Sequence, residues 1–351
     1  MTDIDDAAGS DTSRPGRAAT ITDVARLAGV AASTVSRALS NPARVNAVTR
    51  QRIEEAAVEL AYVPSSQARS LASGRTGTVA LLVPDIANPF YFDLIRGSQR
   101  QLRAAGYTQL LVDTEESREV EADTLEIMRK SADGVILAAS RLDEEQLVAA
   151  AARQPLVTVN RDLPAVPSVL IDTPTGVRQA LTHLHSLGHR RIAYVAGPTG
   201  SWSSARRWEA LEDAAAELDV DLTFLGPWAP NAAAGATAAD SVASRRVTAC
   251  IVFNDLLAIG MLKRLAQRGI RVPEDLSIVG TDDIFGSDFC HPPLTTVSAP
   301  IEEAGRVAVT MLLSRLSQSG TPRLRTVLPT YLRTRESSGP APEPADEMDA
   351  P

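Results

Sequence analysis

Lysine is almost missing from this chain: Lys130 and Lys263 stand against 33 arginines, so its positive charge is carried by guanidinium groups. Cysteine is as rare. Cys250 and Cys290 lie far apart and form no CxxC or Cys/His spacing, which excludes both a zinc site and a disulfide framework. No apolar run approaches the length that crosses a bilayer, and no cationic stretch followed by an apolar one opens the chain, which predicts a cytoplasmic protein without a membrane partner. The phosphate-cradling GxxxxGK[ST] and GxGxxG elements and the nucleophile elbow GxSxG do not occur. His183, His185 and His189 do not make a metal cluster, because 183 and 185 fall on different sides of a helix; the trio reads as a capped, solvated helix end. Asp282 and Asp283 are adjacent carboxylates, but nothing around them supports catalysis. The expectation is therefore no enzyme, no metal and no cofactor.

What is present begins at residues 21–40, ITDVARLAGVAASTVSRALS, where two short apolar-patterned helices flank a turn at Gly29. Val24, Ala25 and Leu27 give the first a small buried face, and Val35, Ala38 and Leu39 do the same for the second. Ser33 and Thr34 are candidates to cap the second helix. Ala32, Ser33, Thr34, Ser36 and Arg37 then lie near its N-terminal end, where a recognition helix meets base edges and phosphates. A third helix is expected over 49–60, with Ile53, Ala56, Ala57 and Leu60 on one face and Arg50, Arg52, Glu54 and Glu59 elsewhere. Tyr62, Val63 and Pro64 end it. Residues 65–73, SSQARSLAS, are too short to be a stable helix alone and would fold only against a partner.

Charge divides along the same line. The chain carries a formal net charge of -8, yet residues 14–75 hold nine arginines against Asp23, Glu54, Glu55 and Glu59, a net of +5, which leaves -13 on the remainder. A basic headpiece on an acidic body attracts phosphate at one end and repels it at the other.

That body alternates apolar runs, at 79–83, 109–112, 134–137, 156–159, 169–171, 192–195, 249–253 and 276–279, with helical patterns at 92–105, 175–187, 207–218 and 256–268. Gly106, Gly188 and Gly269 stand where three of those helices should stop. The pattern predicts open, doubly wound parallel sheets, whose ligands lie beyond the carboxyl ends of the strands. Polar or aromatic residues recur at those ends: Asp85, Asn88 and Phe90, then Asn160 and Arg161, then Asn254 and Asp255, then Asp282 and Asp283. Together they offer donors and acceptors for several hydroxyls, and Trp228 or Phe90 a face for a sugar or base.

The segments TITDVARLAGV, STVSRALSNPARV and TRQRIEEAAVELAYVPSSQARSLASGRTGTVALLVPDIANPFY resemble the N-terminal third of a LacI/GalR-type repressor; LGHRRIAYVAGP, FNDLLAIG and SIVGTDDIFGSDFCHPPLTTV resemble its effector domain. The resemblance implies a small all-α helix-turn-helix headpiece and an α/β body of two doubly wound parallel-sheet subdomains of periplasmic-binding-protein type. It divides the chain into a disordered tail (1–18), a DNA-binding domain (19–64), a hinge helix and linker (65–76), an effector-binding and dimerisation domain (77–336) and a second disordered tail (337–351). Its implied partners are double-stranded DNA carrying a pseudopalindromic operator, a second copy of the chain, and a small-molecule effector, by family habit a sugar acting as inducer; a nucleobase or phosphorylated metabolite acting as corepressor is the alternative. The implied DNA contacts are Thr20, Ala32, Ser33, Thr34, Ser36, Arg37, Asn41, Val45, Asn46, Tyr62, Ser65, Ala68, Arg69 and Leu71, the last as a wedge between base steps. The implied effector contacts are Asp85, Asn88, Phe90, Asn160, Arg161, Arg207, Trp228, Asn254, Asp282 and Phe285. One departure stands out: Ala210 and Leu211 replace the Gly-Phe of the family pattern S-x-x-R-x-x-G-F, which puts the packing behind Arg207, and its choice over Arg206, in question.

Overall fold

The computed structural model describes residues 19–40, 42–63, 75–317 and 325–343. They divide into two compact units, up to Thr76 and from Gly77 onward.

In the first unit α1 (Ile21–Ala28), α2 (Ala32–Ser40) and α3 (Ala47–Glu59) close around Val24, Ala25, Ala28, Val35, Ala38, Ile53 and Ala56. Leu27 and Leu39, expected inside, are exposed: with small residues filling the interior, Ala28 and Ala38 take the inner positions. Thr20 starts α1, its backbone N–H and its hydroxyl both donating to Asp23 Oδ2 at 2.9 and 2.7 Å. Gly29 stops it with φ 63°, a left-handed conformation that glycine adopts without a Cβ clash, and Val30 N–H returns to the Ala25 carbonyl at 3.0 Å. Ser33 and Thr34 do not cap α2 as expected; they lie inside its first turn, where the Thr34 and Val35 N–H groups donate to the Ala31 carbonyl. A 3-10 turn, Pro42–Arg44, follows. α3 begins two residues before its expected start because Asn46 Oδ1 accepts from Val48 N–H at 2.9 Å.

The second unit has two halves. One sheet, in the order β11-β5-β4-β3-β1-β2, is built from β1 (Thr78–Val83), β2 (Thr108–Asp113), β3 (Gly134–Ala138), β4 (Leu156–Val159), β5 (Ser168–Ile171) and β11 (Arg325–Leu328). The other, in the order β12-β10-β9-β8-β6-β7, is built from β6 (Arg191–Val195), β7 (Asp221–Leu225), β8 (Ala249–Val252), β9 (Ser277–Thr281), β10 (Thr295–Ser298) and β12 (Tyr331–Arg333). All pairings are parallel except β10 with β12. α4 (Phe90–Ala104), α5 (Arg118–Ser131), α6 (Glu144–Arg153) and α11 (Ile301–Ser317) flank the first sheet. α7 (Thr173–Ser186), α8 (Trp202–Leu218), α9 (Ala232–Ala243) and α10 (Asp255–Gln267) flank the second. The central strands are buried on both faces, which is why they read as continuous apolar runs.

The chain passes between the halves three times, from β5 to α7, from β10 to α11 and from β11 to β12. α11 therefore packs in the first half although it follows the second in sequence, its Ala304, Ala308 and Leu312 sharing a core with Val79, Leu81 and Leu94. It comes so near α4 that a Cβ at Gly97 would collide with the Glu302 carbonyl, and one at Gly305 with that of Leu94.

Two expectations near the C-terminus are corrected. Residues 337–343 belong to the body instead of a disordered tail: Ser337 is buried, its hydroxyl donating to the Ile278 carbonyl at 2.6 Å and accepting from Thr295 N–H at 2.8 Å. The same strap removes His189 from solvent, with Nδ1 2.8 Å from Thr248 Oγ1 and Nε2 donating to the Gly339 carbonyl at 3.0 Å, while His183 Nε2 lies 2.9 Å from Ser338 Oγ. These histidines hold the chain end; they are not a solvated helix terminus.

Candidate functional site

Two regions concentrate the expected functional residues. On the headpiece, Ser33, Ser36 and Arg37 are exposed along α2, while Ala32, Val45 and Tyr62 are half-buried against the headpiece core. Thr20 and Asn46 both act as helix caps, so their side-chain oxygens already hold local bonds. Asn41, Ser65, Ala68, Arg69 and Leu71 lie outside the described residues, as does most of the expected hinge.

In the body, the segments that follow β1 and β9 line a cavity shared by the two halves, through Phe90 and Asp282. Beside Asp282 in the second half, Arg207 is only 3% exposed on α8. Its Nη1 donates to the Phe253 carbonyl, its guanidinium lies 5.0 Å from the Phe253 ring centroid, and its Nη2 is 3.8 Å from Asp282 Oδ1. Burial drives the Asp282 carboxyl well above the ordinary carboxylate range, against the pull of Arg207 and with a push from Asp255. Arg206, one position earlier, points outward and pairs with Glu209. The family departure is absorbed locally: Leu211 is fully buried, and Trp208 stacks on Tyr194, centroids 6.1 Å apart.

The loop after β9 is held rigidly. Asp283 accepts from Arg335 at 2.6 Å and Ser298 Oγ at 2.9 Å and pairs with Arg333 at 3.2 Å, so it braces the loop and is not available as half of a carboxylate pair. Asp255 is wholly buried and accepts from Ile284 N–H at 3.0 Å and from the Ser287 and Thr296 hydroxyls at 2.6 Å each; burial pushes its carboxyl up to about 7. Phe90, Asp282 and Phe285 line one cavity of about 600 Å³ with Phe92, Arg96 and Arg333. Phe285 is 77% exposed and rests edge-on against Phe289.

The remaining expected contacts do not line that cavity. Asp85 Oδ1 and Asn88 Oδ1 accept from Ala87 and Phe90 N–H, closing tight turns. Asn254 caps α10 and donates to the Pro230 carbonyl at 2.9 Å, so both ends of its amide are engaged. Asn160, at φ 61°, accepts from Ile171 N–H. Arg161 Nε, Arg207 Nε and Trp228 Nε1 are buried without a hydrogen-bond partner among the described residues. A second cavity, about 730 Å³, opens at the other flank of the crossovers between Asp162, Asp172, Trp202, Arg206 and Arg325. Of its residues only Arg206 was weighed as a contact in the sequence, as the alternative to Arg207. The network in which Arg141 pairs with Glu116 at 2.5 Å and its N–H reaches Glu121 at 2.9 Å was not weighed; both groups follow the same strand-end rule, after β2 and β3, and that rule was the signal that would have found them.

A helix-turn-helix unit joined to a two-lobed body with a polar junction defines a ligand-responsive DNA-binding protein as a class. The comparisons agree. The model of the bacterial regulatory proteins of the lacI family matches residues 20–65, and that of the periplasmic binding protein-like domain matches residues 181–338. The HTH-type transcriptional repressor CytR of Escherichia coli (strain K12) is 35% identical over 315 residues, covering 85% of this chain and 90% of its own length. Among solved structures, the lac repressor dimer bound to operator and the anti-inducer ONPF superimposes with a TM-score of 0.82 at 25% identity, over 92% of this chain and all of that one. The transcriptional regulator CelR in complex with cellobiose gives 0.68 at 31% identity, over 91% and 100%. The chain belongs to the lacI family: it is a DNA-binding transcriptional regulator and not an enzyme. No helix among the described residues is long and apolar enough to cross a membrane.

Proposed function

We propose that this chain is a cytoplasmic homodimeric repressor of carbohydrate utilisation genes, released from its operator by a sugar or sugar derivative held between the two halves of the body. The observation that carries this is the buried Arg207–Asp282 pair beside the Phe253 ring, whose Asp282 lines the cavity that Phe90 borders from the other half: a guanidinium and a carboxyl side by side address vicinal hydroxyls, and the Phe90 ring suits a sugar face. Residues 19–64 serve as the DNA-binding domain, 65–76 as the hinge and 77–336, extended by the ordered strap, as the effector domain. Three crossovers between the halves let a bound ligand change their relative tilt and hence the separation of paired hinges. The DNA contacts are those of α2 and its flanks together with Leu71 in the minor groove.

A nucleobase or phosphorylated metabolite acting as corepressor is the second reading, favoured by Arg161, half-buried with its Nε unpaired among the described residues. A thermal-shift screen of the protein against sugars, sugar phosphates, polyols and nucleobases separates the two, since a ligand at 100 times its Kd adds about 2.7 kcal/mol. Loss of operator binding with the hit identifies an inducer and tightening a corepressor. A screen in which only phosphorylated compounds or nucleobases stabilise the protein would sink the sugar reading.

A further inference from the structure

The headpiece arginines do not all face the same task. Arg52 on α3 reaches back 24 residues, and its Nη2 donates to the carbonyl of Ala28, the last residue of α1. That carbonyl is one of the C-terminal acceptors a helix leaves without an internal donor. The turn itself satisfies others: Gly29 N–H returns to the Arg26 carbonyl at 3.3 Å and Val30 N–H to that of Ala25 at 3.0 Å, and the Ala28 carbonyl is left to the guanidinium. A cation at this point also meets the negative end of the α1 dipole. The fit is close, since a Cβ added at Gly29 would stand 3.0 Å from Arg52 Nη2. The turn so fixed, Gly29 to Ala31, sets the direction in which α2 leaves α1, and α2 has little else to define that angle, because Val35 and Ala38 are its only buried side chains among those described.

We infer that Arg52 is a positioning residue for DNA recognition, which holds the α1–α2 turn through the Ala28 carbonyl and is not one of the arginines that neutralise phosphate. The two roles differ in a measurable way. A phosphate contact releases about 0.9 counterion, so its loss lowers the slope of log K against log salt by that amount on any DNA. A residue that sets the angle of α2 changes the fit to bases and leaves the slope alone.

The test uses the full-length protein, a duplex isolated from a random library by the wild type, and poly(dI-dC) as non-specific DNA. Arg52→Met is expected to weaken the selected duplex at least tenfold, to change poly(dI-dC) binding less than twofold, and to keep the salt slope. Arg37→Met, on the exposed face of α2, is the reference that lowers the slope by about 0.9. Should Arg52→Met melt the headpiece, Arg52→Gln gives the same reading, because it too removes the charge and its side chain, shorter by two heavy atoms, falls short of the Ala28 carbonyl while staying polar. A slope that falls by about 0.9 on both DNAs in either variant, or undiminished affinity for the selected duplex, overturns the assignment.

Discussion

Asp255 and Asp282 follow the neighbouring strands β8 and β9 and titrate under the same influence, burial, but their surroundings assign them different work. Asp255 faces only donors from the protein, Ile284 N–H and two hydroxyls, with Asp283 and Asp282 the acidic groups nearest to it. Its folded-state value of about 7 lies above its unfolded one, so its contribution to stability is complete below the ordinary carboxylate range and is lost as pH rises through about 7. The melting temperature of the body is therefore expected to fall between pH 5 and pH 8, and Asp255→Asn, which resembles the protonated acid in shape and donors, is expected to flatten that fall. A variant with the wild-type pH profile would assign the slope to other groups. Asp282 faces Arg207 and the cavity instead. Asp282→Ala removes the carboxyl that meets Arg207 and the cavity, and is expected to leave operator affinity within about threefold while removing the response to effector, read by DNA titration with and without the ligand. Unfolding of this variant would make Asp282 a turn residue.

At this scale the sequence placed polar residues at strand ends but did not say which were free to act. Asn254, Asn88 and Asp85 have the right position and chemistry, yet their oxygens close caps and turns, and that depends on backbone geometry a few ångströms away. Arg207 was separable from Arg206 only once the helix carrying them had a direction, one residue inward and the next outward.

At the scale of elements, legibility followed apolar content. The runs of β1, β3, β4, β6 and β8 stand close to their expected places because a strand buried on both faces must be apolar throughout. β10, TTVS, is equally buried but polar in composition, its Thr296 hydroxyl donating to Asp255, so nothing in its pattern marked it. α9, AAAGATAADSVA, hides its inner face in alanine and glycine, and a helix whose buried and exposed sides are both small has no period to read. The pairing of α4 with α11 was invisible for the same reason, since it rests on Gly97 and Gly305. Gly305→Ala is expected to destabilise the body by about 1–3 kcal/mol through overpacking against Leu94, although alanine is the better helix former. Urea unfolding measures this. A stabilised variant would mean that the two helices shift apart at no cost.

At the scale of the molecule, the three crossovers make one object of two lobes whose cores are otherwise separate, and the C-terminal strap closes along the second of them. The strap was misread because 337–343 is Ser-, Gly- and Pro-rich, a composition that usually marks a free end; its order comes from backbone partners supplied by the starts of β9 and β10 and by the end of α7. Ile278 N–H donates to the Ser337 carbonyl at 2.7 Å and Ala341 N–H to that of Leu187 at 2.8 Å, so the strap adds a short rung of sheet-like bonds under the second half. Ser337→Ala removes the one acceptor of Thr295 N–H shown there and leaves a buried donor bare, which costs about 1–3 kcal/mol. Deleting the chain from Ser337 exposes in addition the Ile278 amide and His189, and the loss should exceed that of the point variant. Both are read from the urea midpoint at constant slope. A deletion as stable as the wild type would show that the second half closes on its own and that the strap only lies along it; a graded loss, Ser337→Ala before the deletion, is the outcome that makes the chain end a structural member of the effector domain.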